Sequence, residues 1–183
     1  MKKHYLVYGA AALLLTACST APRSQSDRDV LIKEADATVE IFKTADPDLK
    51  RFFDQSSAGY AVFPSIAKGG WIFGGAYGRG VLYEKTPAGT SATGYVDTTH
   101  ASVGLQWGGQ SFSEIVFLET PDAVGRFKYG KLKLSGSLSA VAVRSGASKA
   151  VNYSDSVAIF TLGEAGLMLE GAVGAQKFGF KAK

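Results

Sequence analysis

The spacing of apolar residues changes at Ser57, and this change limits the folds that the chain can adopt. Before Ser57, apolar residues recur every three or four positions, which predicts an amphipathic helix from Asp27 to Ala45. After it, apolar and polar residues alternate and glycine is frequent, a pattern typical of strands. The predicted fold is therefore α+β, with N-terminal helices packed on a strongly curved, mainly antiparallel β-sheet or barrel. The predicted buried face of the helix carries Leu31, Ala35, Thr38, Val39 and Phe42.

Local signals mark where the helices begin. Ser26-Asp27-Arg28-Asp29 resembles a capping box for the first helix, and Pro47 begins a second, short helix, Pro47–Gln55. Thr120-Pro121-Asp122 combines an N-cap, a proline and an acid, which predicts a third helix from Pro121 to Lys128. The strand candidates are Gly59–Phe63, Gly70–Gly75, Arg79–Glu84, Thr93–Thr99, Ser102–Trp107, Glu114–Leu118, Ala140–Val143, Val157–Leu162, Leu167–Glu170 and Ala172–Phe180.

Residues 69–83 are unusually rich in glycine. If this stretch is extended in one register, one face carries almost no side chains, which permits a sharp bend or the close approach of another backbone. The stretch then forms either a tightly coiled strand pair or a groove in which an acyl chain or glycerophosphate lies against the backbone. The residues of that face are Ile72, Gly74, Ala76, Gly78, Gly80 and Leu82.

The N-terminus has the pattern of a bacterial lipoprotein signal. Two lysines precede an apolar run, Tyr5–Leu15, that is too short to span a bilayer as a helix. The run ends in Leu15-Thr16-Ala17-Cys18, the lipobox pattern, in which the only cysteine of the chain would receive the lipid. We therefore predict a signal peptide at 1–17, a lipidated Cys18 with a polar tether at 18–26, and a single domain at 27–183. Acyl chains such as palmitate would hold the protein in the membrane.

The residue after Cys18, the net charge and the cysteine count restrict the predicted cellular location, the class of partner and the possible disulfides. The absence of aspartate after Cys18, where Ser19 stands, favours the outer membrane, with the domain facing the periplasm. The formal charge is +4, but residues 1–17 hold two lysines and no acid, so cleavage leaves +2 and no nucleic-acid partner is predicted. A single cysteine excludes an intramolecular disulfide.

Motifs for catalysis are missing from the sequence. The glycine-rich stretch lacks the Lys-Ser/Thr of a P-loop and the dinucleotide fingerprint, and no Gly-x-Ser-x-Gly elbow occurs. His100 is the only histidine after residue 17, so a zinc site would need carboxylates alone for its other ligands. We predict no enzyme activity, no metal and no cofactor. A hydrolase using His100 is the catalytic alternative.

The glycine-rich region also resembles a known family. Val62-Phe63-Pro64-Ser65-Ile66-Ala67-Lys68-Gly69-Gly70, followed by Gly74-Gly75-Ala76-Tyr77-Gly78-Arg79-Gly80, is similar to the signature of the lipid-binding SYLF domain family. The stretches 102–110 and 166–178 resemble its second and third blocks. Residues 92–100 depart from the eukaryotic members, which usually have a Trp-Ser-x-Pro-like element there. The resemblance implies a non-catalytic domain that binds phosphoinositide or other anionic phospholipid.

Two partners follow from these observations. The first is membrane phospholipid, with basic side chains meeting phosphate; Lys68 and Arg79 come from the family-like block, and the helical basic residues come from the amphipathic N-terminal region. The alternative is a structural envelope lipoprotein whose sheet docks a protein partner. The predicted lipid-binding residues are Lys43, Lys50, Arg51, Lys68 and Arg79.

Overall fold

The described part of the chain begins after the predicted lipidation site. The computed structural model describes residues 20–56, 58–70, 73–103, 110–132, 140–163 and 175–183. The predicted signal peptide and Cys18 lie outside these residues, as do the strand candidate Leu167–Glu170 and most of Ser102–Trp107. No helix in the described ranges is long and apolar enough to cross a membrane.

Helices and strands follow one another in the predicted order. The helices are α1 (Gln25–Ala45) and α2 (Pro121–Lys128), with 3₁₀ turns at Pro47–Leu49 and Ala147–Ala150 and a π-helical turn at Phe52–Ser56. The strands are β1 (Gly59–Gly70), β2 (Phe73–Thr86), β3 (Gly89–Val103), β4 (Gln110–Leu118), β5 (Val141–Ala142), β6 (Val157–Gly163) and β7 (Ala175–Ala182).

Helix α1 confirms the predicted buried face but begins earlier than predicted. The side chain of Ser24, not Ser26, caps the helix, since its Oγ accepts a hydrogen bond from the backbone N–H of Asp27 at 3.0 Å. Ser26 therefore lies inside the first turn. The five residues of the predicted stripe are all buried against the sheet: Leu31, Ala35, Thr38, Val39 and Phe42.

The segment after α1 is helical but is not the single helix predicted for Pro47–Gln55. A 3₁₀ turn gives way to a π-helical turn, and the carboxylate of Asp46 anchors the first. Asp46 accepts hydrogen bonds from the backbone N–H groups of Asp48, Gly146 and Ser148 at 3.2, 3.1 and 2.8 Å. These bonds tie the end of α1 to a loop about a hundred residues further along the chain. Helix α2 is confirmed, with Thr120 as its N-cap.

The seven strands form one mixed sheet in the order β5-β6-β4-β1-β2-β3-β7. All neighbours are antiparallel except β5 and β6, which are parallel. Within the described residues the row ends at β5 on one side and β7 on the other. The sheet is therefore open, and the predicted closure into a barrel is not found in this part of the chain.

A contact across the sheet shows that it bends. Strands β4 and β7 are separated by β1, β2 and β3, so a flat sheet would hold them about 19 Å apart. The side-chain amide of Gln176 on β7 nevertheless donates a hydrogen bond to Glu114 Oε1 on β4 at 2.6 Å. The ring of Phe178, also on β7, stacks on Phe63 of β1 with centroids 6.0 Å apart. We call the concave side with these contacts the inner face and the opposite side the outer face.

Each face of the sheet packs its own core. Side chains alternate along β4, where Ile115 and Phe117 belong to the outer core, and Val116 and Leu118 belong to the inner core. Helix α1 and the turns that follow it cover the outer face. Helix α2 covers the inner face, where Phe127 packs on the ring of Phe178 at 4.7 Å.

The glycine-rich stretch is a strand pair, which was one of the two predicted alternatives, so residues 69–83 do not lie in one strand. Gly70, at the end of β1, pairs with Gly74 in β2, so the predicted strand Gly70–Gly75 spans both strands. From residue 76 onward the face predicted to carry few side chains is the inner face. Atoms of β1 fill it: a Cβ on Gly80 would clash with the Val62 carbonyl oxygen and the Phe63 ring. This space holds no groove for an acyl chain.

Candidate functional site: a basic outer face and a polar inner cluster

Two of the predicted basic residues near the end of α1 are paired with acids. Lys43 Nζ lies 2.9 Å from Glu40 Oε1 and 5.2 Å from the centroid of the Phe53 ring. Lys50 forms an ion pair with Asp54 four residues later in the chain. Because each cation faces a carboxylate, this pair of lysines adds little net positive potential to the surface.

The side chain of Arg51 makes contacts that stabilise the fold. Its guanidinium donates hydrogen bonds to the carbonyl oxygens of Ser148 and Val151 at 2.8 and 2.5 Å and lies 4.6 Å from the centroid of the Phe52 ring. Arg51 also borders a cleft of about 320 Å³ in which two acids accompany two bases. This balance makes the cleft a poor site for a phosphate group. The residues lining the cleft are Pro47, Asp48, Lys50, Arg51 and Asp54.

Lys68 and Arg79 lie on opposite faces of the sheet. Lys68 pairs with Ala76 of the inner core, so its side chain belongs to the inner face. Arg79 is two positions before Val81, an outer-core residue, and its exposed side chain donates from Nε to the Tyr77 hydroxyl at 3.2 Å. The structure therefore does not bring the five predicted residues together into one site.

Arg79 does belong to a basic surface on the outer face beyond α1. The register places Arg79, Asp97 and Gly179 side by side on β2, β3 and β7. Lys177 and Lys181 stand two positions to either side of Gly179, and both are exposed. We call Arg79, Lys177 and Lys181 the outer basic face. In the part of the chain described, none of the three has an acid within ion-pair distance.

The sequence contained a signal for the two lysines that the prediction missed. In Lys177-Phe178-Gly179-Phe180-Lys181, basic residues alternate with aromatic residues, as expected for a strand with one buried and one solvent-facing side. What the sequence could not supply was the pairing of β7 with β3, which brings both lysines close to Arg79.

The N-terminal end of α1 borders the outer basic face. Arg28 Nε donates to the Pro22 carbonyl oxygen at 3.0 Å, and its guanidinium lies 5.6 Å from the centroid of the Tyr95 ring. Tyr95 pairs with Lys181 across β3 and β7. A fourth cation thus extends the outer basic face toward the start of the domain.

A polar cluster interrupts the apolar inner face. The Gln176 amide bridges Thr98 Oγ1 at 3.0 Å and Glu114 Oε1 at 2.6 Å. Glu114 is 1% exposed, and burial raises its carboxyl pKa to about 7, although the hydrogen bond from Gln176 acts in the opposite direction. The cluster links β3, β4 and β7, and no motif in the sequence predicted it. A lone glutamate in an otherwise apolar strand, Glu114-Ile115-Val116-Phe117-Leu118, was the available signal.

His100 occupies the same row of the inner face as Lys68. Burial, with a smaller contribution from the nearby charge of Lys68, lowers the pKa of His100 to about 4. Its Nε2 is buried without a hydrogen-bond partner, and its ring meets Phe112 edge-on at 6.1 Å. Burial also lowers the pKa of Lys68. Among the described residues no serine hydroxyl or carboxylate bonds to His100, so the hydrolase alternative gains no support from the geometry.

Neither a metal site among the described residues nor a similar known protein indicates a function. The described ranges hold no group of three or more histidine, cysteine, aspartate or glutamate side chains placed to bind a metal ion. The chain matches no model of a known protein family and no curated protein sequence. The resemblance to the SYLF family therefore stays a prediction.

Proposed function

We propose that this chain is a membrane-anchored lipoprotein of the SYLF type whose domain binds anionic phospholipid without catalysing a reaction. The lipobox at Cys18 supports the anchor, and the family-like block from Val62 to Gly80 supports the ligand class. The proposed location is the outer membrane, with the domain in the periplasm. Bacteria mostly lack phosphoinositides, so other anionic phospholipids are the ligands that we propose.

The observation that carries the proposal is the outer basic face. Its three cations have no acidic ion-pair partner among the described residues, whereas Lys43 and Lys50 are each paired with a carboxylate. A lysine or arginine near an anionic membrane surface contributes about 1 kcal/mol, so three contribute about 3 kcal/mol. Asp97, which lies between Arg79 and Gly179, subtracts part of this attraction. The outer basic face therefore replaces the helical residues as the proposed headgroup site.

A comparison of two charge-removal variants tests the proposal on a chain that starts at Ser19. The first variant changes Arg79, Lys177 and Lys181 to glutamine. We expect its partitioning onto vesicles with anionic phospholipid to fall by about 100-fold, and wild-type binding to weaken with added salt. Vesicles of phosphatidylcholine alone should bind neither protein.

The control removes the same number of charges from cations that already have acidic partners. Lys43, Lys50 and Lys149 pair with Glu40, Asp54 and Asp48, respectively. Changing these three lysines to glutamine removes the same formal charge but should reduce partitioning only a few-fold, because the outer basic face stays intact. The proposal fails if partitioning falls equally for the two variants. It also fails if wild-type partitioning does not depend on lipid charge and salt, because the outer basic face is then not the site.

A protein partner in the envelope is the second candidate function, and exposed apolar residues on α1 favour it. Val30 and Ile41 are 52% and 54% exposed. They are eleven residues apart, which is close to three helical turns, so both lie on the solvent-facing side of α1. Replacing both with glutamine, which adds no charge, should abolish recovery of a stoichiometric envelope protein in a pull-down if this surface docks one, and should leave vesicle binding intact.

A further inference from the structure

The domain begins very close to the predicted lipid anchor. Ala21 is 1% exposed and belongs to the outer core, and Pro22 is buried as well. Ser24 then caps α1. The chain is thus packed against the domain from Ala21, six residues before Asp27, where the domain was predicted to begin. In the sequence, only Ser19 and Thr20 separate Cys18 from Ala21.

So short a connection limits how far the domain can move from its own membrane. Three Cα–Cα steps lead from Cys18 to Ala21, and a fully extended chain covers about 11 Å in three steps. Helix α1 alone, with 21 residues, is about 32 Å long. The distance from the bilayer surface to the point where the chain enters the domain is therefore shorter than the length of α1.

The outer basic face is the charged surface beside this entry point. Pro22 accepts the hydrogen bond from Arg28, Arg28 lies over Tyr95, and Tyr95 is the register partner of Lys181. The Debye length at physiological salt is about 8 Å, which is of the same order as the reach of about 11 Å, so cations beside the entry point that turn toward an anionic leaflet are attracted to it. The tether thus brings positive charge to the leaflet in which the anchor is inserted.

We propose that the domain lies on the same bilayer that holds its own anchor, with the outer basic face against the anionic headgroups, and does not bridge to a second membrane. This inference rests on the proposed function, because it identifies which bilayer supplies the phospholipid. It follows from the burial of Ala21, the contacts of Arg28, and the cations on β2 and β7 that have no acidic ion-pair partner among the described residues. The inner polar cluster and α2 then face away from the membrane.

Fluorescence quenching on the full lipidated chain tests the orientation. Cys18 is the only native cysteine, and its thiol is consumed by the lipid, so one introduced cysteine can be labelled selectively. Thr99→Cys places a dye on the outer face next to Lys177, its register partner, without removing a cation. Tyr129→Cys places the dye at the end of α2, on a side chain that is 79% exposed.

Proteoliposomes with anionic phospholipid and nitroxide-labelled headgroups should quench the dye at position 99 at least about twofold more than the dye at position 129. Equal quenching, or stronger quenching at position 129, would overturn the proposed orientation. The same comparison is made in proteoliposomes of phosphatidylcholine alone. If the ratio of quenching at position 99 to quenching at position 129 is the same there as with anionic phospholipid, the tether sets the orientation without the cations, and the charge part of the inference fails.

A bridging assay separates this inference from the proposed function. Proteoliposomes carrying the full chain are mixed with protein-free anionic vesicles, and energy transfer between labelled lipids reports clustering. We expect no clustering for the natural chain. A flexible insertion of about 20 residues after Ser19, with a mean span of about 25 Å, should permit it. Clustering by the natural chain would refute binding to the same bilayer while supporting phospholipid binding. Failure of the chain from Ser19 to bind anionic vesicles would refute the proposed function itself.

Discussion

The buried carboxyl of Glu114 provides a direct test of the inner polar cluster. Glu114→Gln removes the titrating group at nearly constant volume, and the amide oxygen of the new side chain can still accept the hydrogen bond from Gln176. The substitution therefore isolates the free energy of burying the charge. Burial raises the pKa of Glu114 from its ordinary value of 4.5 to about 7.

The sign of the effect follows from proton binding. An unfolded chain loses the Glu114 proton near pH 4.5, whereas the folded protein keeps it up to about pH 7. Between these values the folded state binds more protons, so the stability of the wild type falls as the pH rises. Each pH unit between the two pKa values is worth about 1.4 kcal/mol, which gives about 3 kcal/mol above pH 8. The glutamine variant has no such loss, so it should exceed the wild type by this amount at alkaline pH and match it near pH 4.5.

Urea unfolding of both proteins at about pH 5 and about pH 8.5 measures the difference directly. His100 titrates in the opposite sense: its lowered pKa makes the fold less stable as the pH falls below 6.5. Subtracting the wild type from the variant at each pH removes most of that contribution. The Glu119→Gln change, at an exposed position, serves as the control for removing a surface carboxylate from the same region of the chain. A Glu114→Gln protein that is no more stable than the wild type at pH 8.5 would refute the reasoning.

Four further substitutions test the packing that positions the two faces, each by chemical denaturation. Gly80→Ala puts a methyl group into the backbone of β1 and should destabilise the fold by about 2–3 kcal/mol, whereas Gly125→Ala, with open space around it in α2, should stabilise it by about 0.5–1 kcal/mol. Asp46→Ala leaves three backbone N–H groups without their acceptor and should cost about 3 kcal/mol at neutral pH. Burial alone would raise the pKa of Asp46, but the hydrogen bonds from Ser148 and its neighbours lower it overall, so the wild-type advantage should shrink as the pH falls below 3.8. Tyr83→Phe removes the 2.6 Å hydrogen bond from the hydroxyl to a carboxylate of α1 and should cost about 1 kcal/mol; no change would show that this bond does not hold α1 to the sheet.

The sequence predicted the parts of the fold that depend on local pattern. The buried face of α1 was predicted residue by residue, because helical spacing reports which side chains meet the core. The N-cap of α2 was found because Thr120 before a proline is a local signal. The strand prediction failed at Gly70–Gly75, since glycine alternation looks the same within one strand and across a tight pair. The open order of the sheet depends on pairing between distant strands, which a local pattern does not record.

The candidate site was harder to predict for the same reason. Lys43 and Lys50 were selected because they lie on an amphipathic region, but acids three and four residues away neutralise them. Arg51 was selected on the same ground, yet its partners are carbonyl oxygens about a hundred residues further along the chain. Arg79 was chosen from the family-like block. Its neighbours on the outer basic face come from the last strand, and only the β3–β7 pairing reveals them.

Under the proposed function, the anchor and the outer basic face would act on different parts of one binding equilibrium. Three cations at about 1 kcal/mol each give only about a 100-fold preference for an anionic surface, which is weak for a free protein. A lipidated Cys18 would hold Ala21, where the domain begins, within about 11 Å of the anchor, as set by the residues before Ala21. At the resulting effective concentration even a weak preference suffices to orient the domain. The soluble chain should therefore bind vesicles weakly and lose binding readily to salt, whereas the anchored chain should keep its orientation at salt concentrations that release the soluble one. The outer basic face would then not serve to recruit the protein but to decide which side of the sheet meets the membrane.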